Sequence, residues 1–230
     1  MQQLLLDVFT PPKPNLGNFL VGRNAQVMHE LSRLGQPGTS SPQLVYLYGP
    51  VGCGKTHLLR GLAQNLGVTA LTGTTRFVFK PAPQALLMDN IEELTPYSQV
   101  QLFNAFNSAL ADRQPPAIVL CGEQAPADLP LREDLRTRIQ AGLCLRILPL
   151  TDDEKLTALQ HIAQARGLEL SPEVVDYALR HFQRDMGSLT AVMDGLDRFS
   201  LEQHKPVSVN LLRHWMKRRE SLVVREPEMP

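Results

Sequence analysis

The chain has 230 residues, 43% of them apolar, and its 23 Lys and Arg balance its 23 Asp and Glu. That length suits one core domain with a smaller companion, the apolar share argues against global disorder, and the neutral balance lacks the basic excess of a dedicated nucleic-acid binder. Cys53, Cys121 and Cys144 lie far apart without a CxxC pair and read as reduced thiols of a cytoplasmic protein; no apolar run approaches the ~20 residues that span a bilayer, and residues 1–9 lack the basic start of a signal peptide.

Residues 1–9 form a short apolar patch, and 10–15 (TPPKPN) a stiff, extended spacer. A helix is expected over 23–34, with Val27, Met28, Leu31 and Leu34 on one face, then a Gly/Pro/Ser loop over 35–42. QLVYLY at 43–48 reads as a buried strand, followed by a Gly-rich loop and a helix over 55–66. Residues 77–79 are a possible short strand, and ALLMD at 85–89 a second buried strand. A helix over 98–112 has Val100, Phe103, Ala105, Phe106 and Leu110 as its apolar set. AIVLC at 117–121 is a third buried strand, 131–140 a helix and 144–148 a fourth strand. Strands alternating with helices predict an α/β fold, a parallel sheet flanked by helices on both faces.

After Pro149 four helices follow without a strand, over 152–166, 172–183, 187–203 and 208–219: a small all-helical lid. Thr151 and Glu154 have capping-box spacing, and Ser171-Pro172 places proline at a first helical position. Leu211, Leu212 and Trp215 read as the packing face of the last helix. The expected organisation is a tail over 1–20, an α/β base over 21–150, a lid over 151–220 and a disordered end over 221–230. None of the six histidines has metal-protease spacing.

Gly49, Pro50, Val51, Gly52, Cys53, Gly54, Lys55 and Thr56 match the phosphate-loop pattern G-x-x-x-x-G-K-[ST] in full, between a predicted strand and a predicted helix. Glycines let backbone N–H groups turn toward phosphate oxygens, and the helix start adds partial positive charge. Lys55 is expected to reach the terminal phosphates of ADP or ATP, and Thr56 to ligate Mg2+; His57 follows them in the nucleotide site. Asp89, ending its strand, is placed to hold Mg2+ through water. Asn90 comes next, and an amide cannot take a proton from water, so hydrolysis within this site is expected to be slow. Glu92 and Glu93 read as solvated loop acids.

The phosphate loop, the strand ending Asp89-Asn90, the AIVLC strand, the stretch from Leu131 to Ile139 and a four-helix lid together resemble the DnaA branch of AAA+ P-loop NTPases. Residues 134–139 resemble that branch's box VII, which implies that Arg138 is an arginine finger acting in trans on a neighbour's nucleotide. Glu123 is the positional candidate for sensor 1. Gly187 stands where the branch usually has its sensor-2 arginine; Arg184, three residues away and expected on the same helix, is a possible substitute. The chain ends about ten residues after the last lid helix, so no helix-turn-helix DNA-binding domain is expected after it.

Gln3, Leu4 and Leu6 match the Q-L-x-L sliding-clamp-binding motif, with Phe9 following; an extended tail would put Leu4 and Leu6 on one side to fill an apolar groove. With GRNA at 22–25 and L-D-R-x-S at 196–200, the whole chain resembles the DnaA-related regulatory inactivators of the Hda family. That resemblance implies three partners: the sliding clamp (beta subunit of the polymerase), the initiator DnaA, and DNA met indirectly through the clamp. It further implies promoted hydrolysis of DnaA-bound ATP, which prevents re-initiation, by a chain with weak or no ATPase of its own that works best with ADP. A homodimer or higher homo-oligomer is possible, and no membrane partner is expected. The alternative is an autonomous ATPase of the DnaC-like or clamp-loader-like kind.

Overall fold

The computed structural model describes residues 13–34, 44–79, 85–112, 115–165 and 167–223. The clamp-motif residues Gln3, Leu4, Leu6 and Phe9, the 35–42 loop and residues 224–230 lie outside them. The chain divides into two compact units, Met1–Pro50 with Gly54–Leu148, and Val51–Cys53 with Pro149–Pro230.

Among the described residues, the first unit holds five strands: β1 (Leu44–Tyr48), β2 (Ala70–Thr72), β3 (Ala85–Asp89), β4 (Ala117–Gly122) and β5 (Leu143–Arg146). They form one parallel sheet in the order β2-β3-β4-β1-β5. Its helices are α1 (Ala25–Ser32), α2 (Lys55–Leu66), α3 (Pro96–Ala111) and α4 (Glu133–Ala141). Alternate residues of a strand face opposite sides of the sheet. Tyr46, Leu86, Met88, Ile118 and Leu120 therefore share one face, packed with Leu102, Ala105, Phe106 and Ala109 of α3 and Leu135 and Ile139 of α4. Val45, Leu47, Leu87 and Val119 point the other way, and α2, burying Leu58, Leu59 and Leu62, packs on β3 and β4. Fully burying each leucine stabilises by about 1.5–3 kcal/mol before the chain entropy it opposes. Chain order reverses beside β1, so the loop after β1 opens at a topological switch point, where α/β sheets place ligands.

Several elements depart from the sequence expectation. Residues 77–79 are not a strand: the Phe77 N–H donates to Ser98 Oγ and the Phe79 N–H to Gln101 Oε1. The additional strand is β2 instead. The apolar face of α3 is rotated from the expected one, since Leu102 and Ala109 are buried while Val100 and Leu110 are exposed. The last strand ends at Arg146, short of Leu148.

The second unit contains α5 (Asp152–Ala165), α6 (Pro172–His181), α7 (Met186–Gln203) and α8 (Val209–Val223). Helix α8 runs three residues into the segment expected to be disordered. The Thr151 capping box forms, with Thr151 N–H donating to Glu154 Oε2 at 2.7 Å and Glu154 N–H to Thr151 Oγ1 at 3.2 Å. Pro172 opens α6 as expected. Leu159, Val174, Val175, Leu189, Leu196 and Leu212 build the core of this unit, with Trp215 packed against it. Among the described residues, no helix is long and apolar enough to cross a membrane.

Candidate functional site

The loop from Gly49 to Gly54 carries the chain from the buried end of β1 to the first turn of α2. Gly54 caps α2 at φ 105°, a conformation that costs glycine nothing, and a Cβ there would lie 2.7 Å from Phe19 Cε2. The loop is tied to the sheet by the Gly49 N–H, which donates to Gly122 O at 3.3 Å. Lys55 is buried, and its ammonium donates to Gly49 O at 2.7 Å and Pro50 O at 3.0 Å. These bonds hold one positive charge in the mouth of the loop, beside the first amides of α2, which have no intrahelical acceptor.

The Thr56 hydroxyl donates to Asp89 Oδ2 at 2.6 Å, and Asp89 Oδ1 accepts the Asn90 N–H at 3.1 Å. Asp89 is buried at the end of β3. Asn90 turns the chain out of the strand at φ 51°, a left-handed conformation that asparagine tolerates. Thr56 and Asp89 present hard oxygen atoms of the kind Mg2+ selects. Among the described residues, no group of three His, Cys, Asp or Glu could hold an ion by itself. A metal held by these two residues therefore needs oxygens from a phosphate or water as well.

Of the remaining sequence candidates in this unit, His57 lies on α2, with Nε2 2.8 Å from Asn18 Oδ1 and 3.1 Å from Asn15 O. A carbonyl oxygen can only accept, so Nε2 carries the proton. Burial pushes the His57 pKa below its ordinary value, against the opposing bond to Asn15. Glu123, one residue past β4, is exposed. Arg138 lies in the last turn of α4, its guanidinium carbon 4.3 Å from the centre of the Phe103 ring on α3.

Gly187 is in the second unit, second residue of α7, whose N-cap Asp185 accepts the Ser188 N–H at 2.9 Å. Arg184 is not on that helix but in the turn before its cap. Its guanidinium donates to Asp152 Oδ2 and Leu179 O, both at 3.2 Å. The backbone breaks before Asp185 because this cap requires an extended residue there, which the helical pattern alone does not reveal.

Residues 152–216 match the family described as Hda, lid domain. The fold is similar to domain III of the Thermotoga maritima replication initiation protein DnaA, with TM-score 0.72 and 23% identity over 90% of this chain and 98% of that one. It is similar to AMPPCP-bound DnaA from Aquifex aeolicus at TM-score 0.72 and 22% identity, over 94% of this chain and 72% of that one. The Thermotoga maritima RuvB Holliday junction branch migration motor matches at TM-score 0.65 and 18% identity, over 84% of this chain and 68% of that one. Residues 152–216 therefore match an Hda-type lid, and the chain has the fold of the DnaA and RuvB structures.

Two further features escaped the sequence reading. The first is the segment from Asn15 to Phe19, expected to be part of an extended tail. Asn15 and Asn18 form a reciprocal cap on a 3-10 turn, and Phe19 tilts against the His57 ring with centroids 5.8 Å apart. An Asn-x-x-Asn spacing just after a proline is the signal that could have found it.

The second is Glu92, read as a solvated loop acid. It sits on a 3-10 turn (Ile91–Glu93) whose Ile91 is fully buried, and its Oε2 is buried without a hydrogen-bond partner among the described residues. Burial raises its pKa, and Glu123 raises it further; its own amide, the Glu123 amide and Lys55 oppose the rise. Glu93, by contrast, is exposed as expected. The reason for the difference is tertiary: the turn tucks residue 92 against the end of β4, and sequence shows no such neighbour.

Proposed function

We propose that the chain binds ADP or ATP with Mg2+ in the Gly49–Thr56 loop and uses that nucleotide-bound state to regulate replication initiation. The observation that carries the nucleotide reading is the convergence of Lys55, Thr56 and Asp89 at the carboxyl ends of β1 and β3. Lys55 offers a fixed cation to terminal phosphates, and the α2 amides offer donors to the phosphate nearest the helix. Thr56 and Asp89 would hold Mg2+, which neutralises phosphate charge when bound. Two DnaA structures of similar fold are described as bound to AMPPCP, which supports the same ligand class here.

The Hda-type lid and the DnaA-like base support a DnaA-related role in replication control. In the full reading, Gln3, Leu4, Leu6 and Phe9 tether the chain to the DNA-loaded sliding clamp. Arg138 then reaches the nucleotide of a neighbouring DnaA and promotes its hydrolysis. A guanidinium stacked on an aromatic face is pre-oriented and keeps its donors for a phosphate, and such a finger is worth about 10³–10⁵ in rate. Asn90 and Gly187 fit weak turnover in the chain's own site.

The test is a reconstitution with DnaA–ATP, DNA-loaded clamp and the purified protein. Hydrolysis of DnaA-bound ATP should rise in the full mixture, fall to background with Arg138→Ala, and fall with Gln3→Ala/Leu4→Ala only through lost clamp capture. Normal stimulation by Arg138→Ala refutes the finger. Own turnover near the ordinary enzyme rate of ~10 s⁻¹ would favour an autonomous ATPase instead.

A further inference from the structure

Glu92 Oε2 is the one buried side-chain nitrogen or oxygen without a hydrogen-bond partner among the described residues. Its position is fixed. Ile91 and Leu94, on either side of the residue, are both in the core of the base and anchor the turn, while Glu92 itself is half-buried. The carboxylate lies over Gly122, where a Cβ would meet Tyr46 Oη at 2.5 Å and Glu92 Oε2 at 2.8 Å. The Tyr46 hydroxyl donates to Gln124 O at 2.7 Å and so is committed elsewhere.

From Gly122 a short run of contacts leads to the phosphate loop. Gly122 O accepts the Gly49 N–H, and Gly49 O accepts the Lys55 ammonium. Lys55 is also the cation whose field reaches Glu92. Glu123 is an acid that adds to the negative field at Glu92, and the Glu92 charge also bears on the Tyr46 hydroxyl. A half-buried acid thus sits at the strand ends that carry the phosphate loop, with one carboxylate oxygen, Oε2, buried and without a hydrogen-bond partner among the described residues.

We propose that Glu92 is a specificity-determining residue of the phosphate site, the group by which the site tells a nucleoside triphosphate from a diphosphate. The proposal rests on the nucleotide-binding reading above and assigns a role within it. Lys55 and the α2 amides supply a limited positive field. A carboxylate beside them takes a share of it, and a third phosphoryl group adds negative charge to the same water-poor crevice. The diphosphate asks less of that field, so Glu92 favours it. An ordinary packing role does not account for the choice of residue: a buried carboxylate oxygen without a partner costs folding free energy that an apolar group of similar shape avoids and an uncharged amide lessens.

The experiment is isothermal titration of the full chain with ADP and with AMPPCP, each with Mg2+, at one pH, for wild type, Glu92→Gln and Glu92→Ala. Gln keeps the shape and removes the charge; Ala removes both. In both variants the ratio Kd(AMPPCP)/Kd(ADP) should fall about tenfold, chiefly because AMPPCP binds more tightly. A ratio within twofold of wild type overturns the proposal, whether both affinities stay put or move together as a structural role would make them. If wild type binds neither nucleotide, the nucleotide-binding reading itself has failed, a result distinct from an unchanged ratio, and the proposal falls with it.

Discussion

The base and the lid handle charge in different ways. In the base, Lys55 and Asp89 are each 6% exposed and bonded to the loop and strand ends around them, and half-buried Glu92 has one buried oxygen with no partner among the described residues. In the lid, the ion pairs Arg184–Asp152, Arg180–Asp176 and Arg218–Glu202 all have side chains more than 40% exposed. Lys155, at 8% exposure, is the lid's exception, and it too reaches Asp152, at 3.1 Å. Solvated pairs contribute little to stability, whereas a charge kept from water is costly unless something compensates. The base thus keeps a cation and acids in a costly place, of which a bound polyanion would compensate Lys55 and a divalent cation Asp89, while the lid is an apolar cluster with a wetted surface.

The largest effect that sharpens this contrast is expected from Lys55→Ala. Removing the cation should weaken ADP binding by roughly a hundredfold, ~2.7 kcal/mol, as read by titration calorimetry. Circular dichroism should change little, because the loop carbonyls that the ammonium bonds, Gly49 O and Pro50 O, can turn to water once the side chain is gone. Unaltered ADP affinity would break the assignment of the buried charges to ligand binding.

The lid's counterpart is Gly195→Ala, a test of packing. Gly195 lies within α7, and a Cβ there would overlap the edge of the Trp215 ring at Cζ2. Alanine would gain up to ~1 kcal/mol in helix propensity, but the ring must move, and overpacking typically costs about 1–3 kcal/mol. A net destabilisation of about 1 kcal/mol is expected. Trp215 is the chain's single tryptophan, so its fluorescence during urea unfolding reports this lid. An unchanged midpoint would mean that the α7–α8 contact is looser than the geometry indicates.

What the sequence revealed follows the same division. The phosphate loop was legible because its chemistry is compressed into eight consecutive residues, and β1, β3 and β4 because strands buried on both faces are continuous apolar runs. β2 was not legible: Ala70-Leu71-Thr72 is a three-residue strand at the sheet edge, only partly buried, with no pattern to announce it. The aromatics at 77 and 79 imitated a strand, although their amides bond side chains of α3. The turn of α3 that faces the sheet includes Ser98 and Gln99, polar residues buried because Gln99 bonds Leu94 O and the Arg132 N–H. Glu92 could not be found by spacing, since what distinguishes it from Glu93 is the end of a strand thirty residues away in sequence.

Glu92→Gln gives a smaller, pH-dependent effect on stability that probes the cost of the buried acid. The folded pKa of Glu92 is raised above 4.5, so the unfolded chain releases this proton first as pH rises. The stability that Glu92 supplies is complete below that value and is lost as pH climbs toward its folded pKa. Glu92→Gln should therefore melt at a higher temperature than wild type at pH 7–8 and lose that advantage on acidification toward pH 4. A melting-temperature difference that does not vary with pH would mean that the carboxylate is charged equally in both states, so that its burial imposes no cost.

The smallest effect is expected where charge is already wet. Arg184 was a candidate to replace the missing sensor-2 arginine, but it is bound within the lid to Asp152 and Leu179 O. Both members of the ion pair are well exposed, so Arg184→Ala should cost no more than ~1 kcal/mol of stability. Its effect on the ratio of AMPPCP to ADP affinity should be under twofold, because releasing the guanidinium toward a nucleotide would first require breaking two hydrogen bonds and a turn. A shift as large as that expected for Glu92→Gln would show that those bonds are given up when the triphosphate binds. Discrimination would then belong to the wetted charges of the lid as well as to the buried charges of the base.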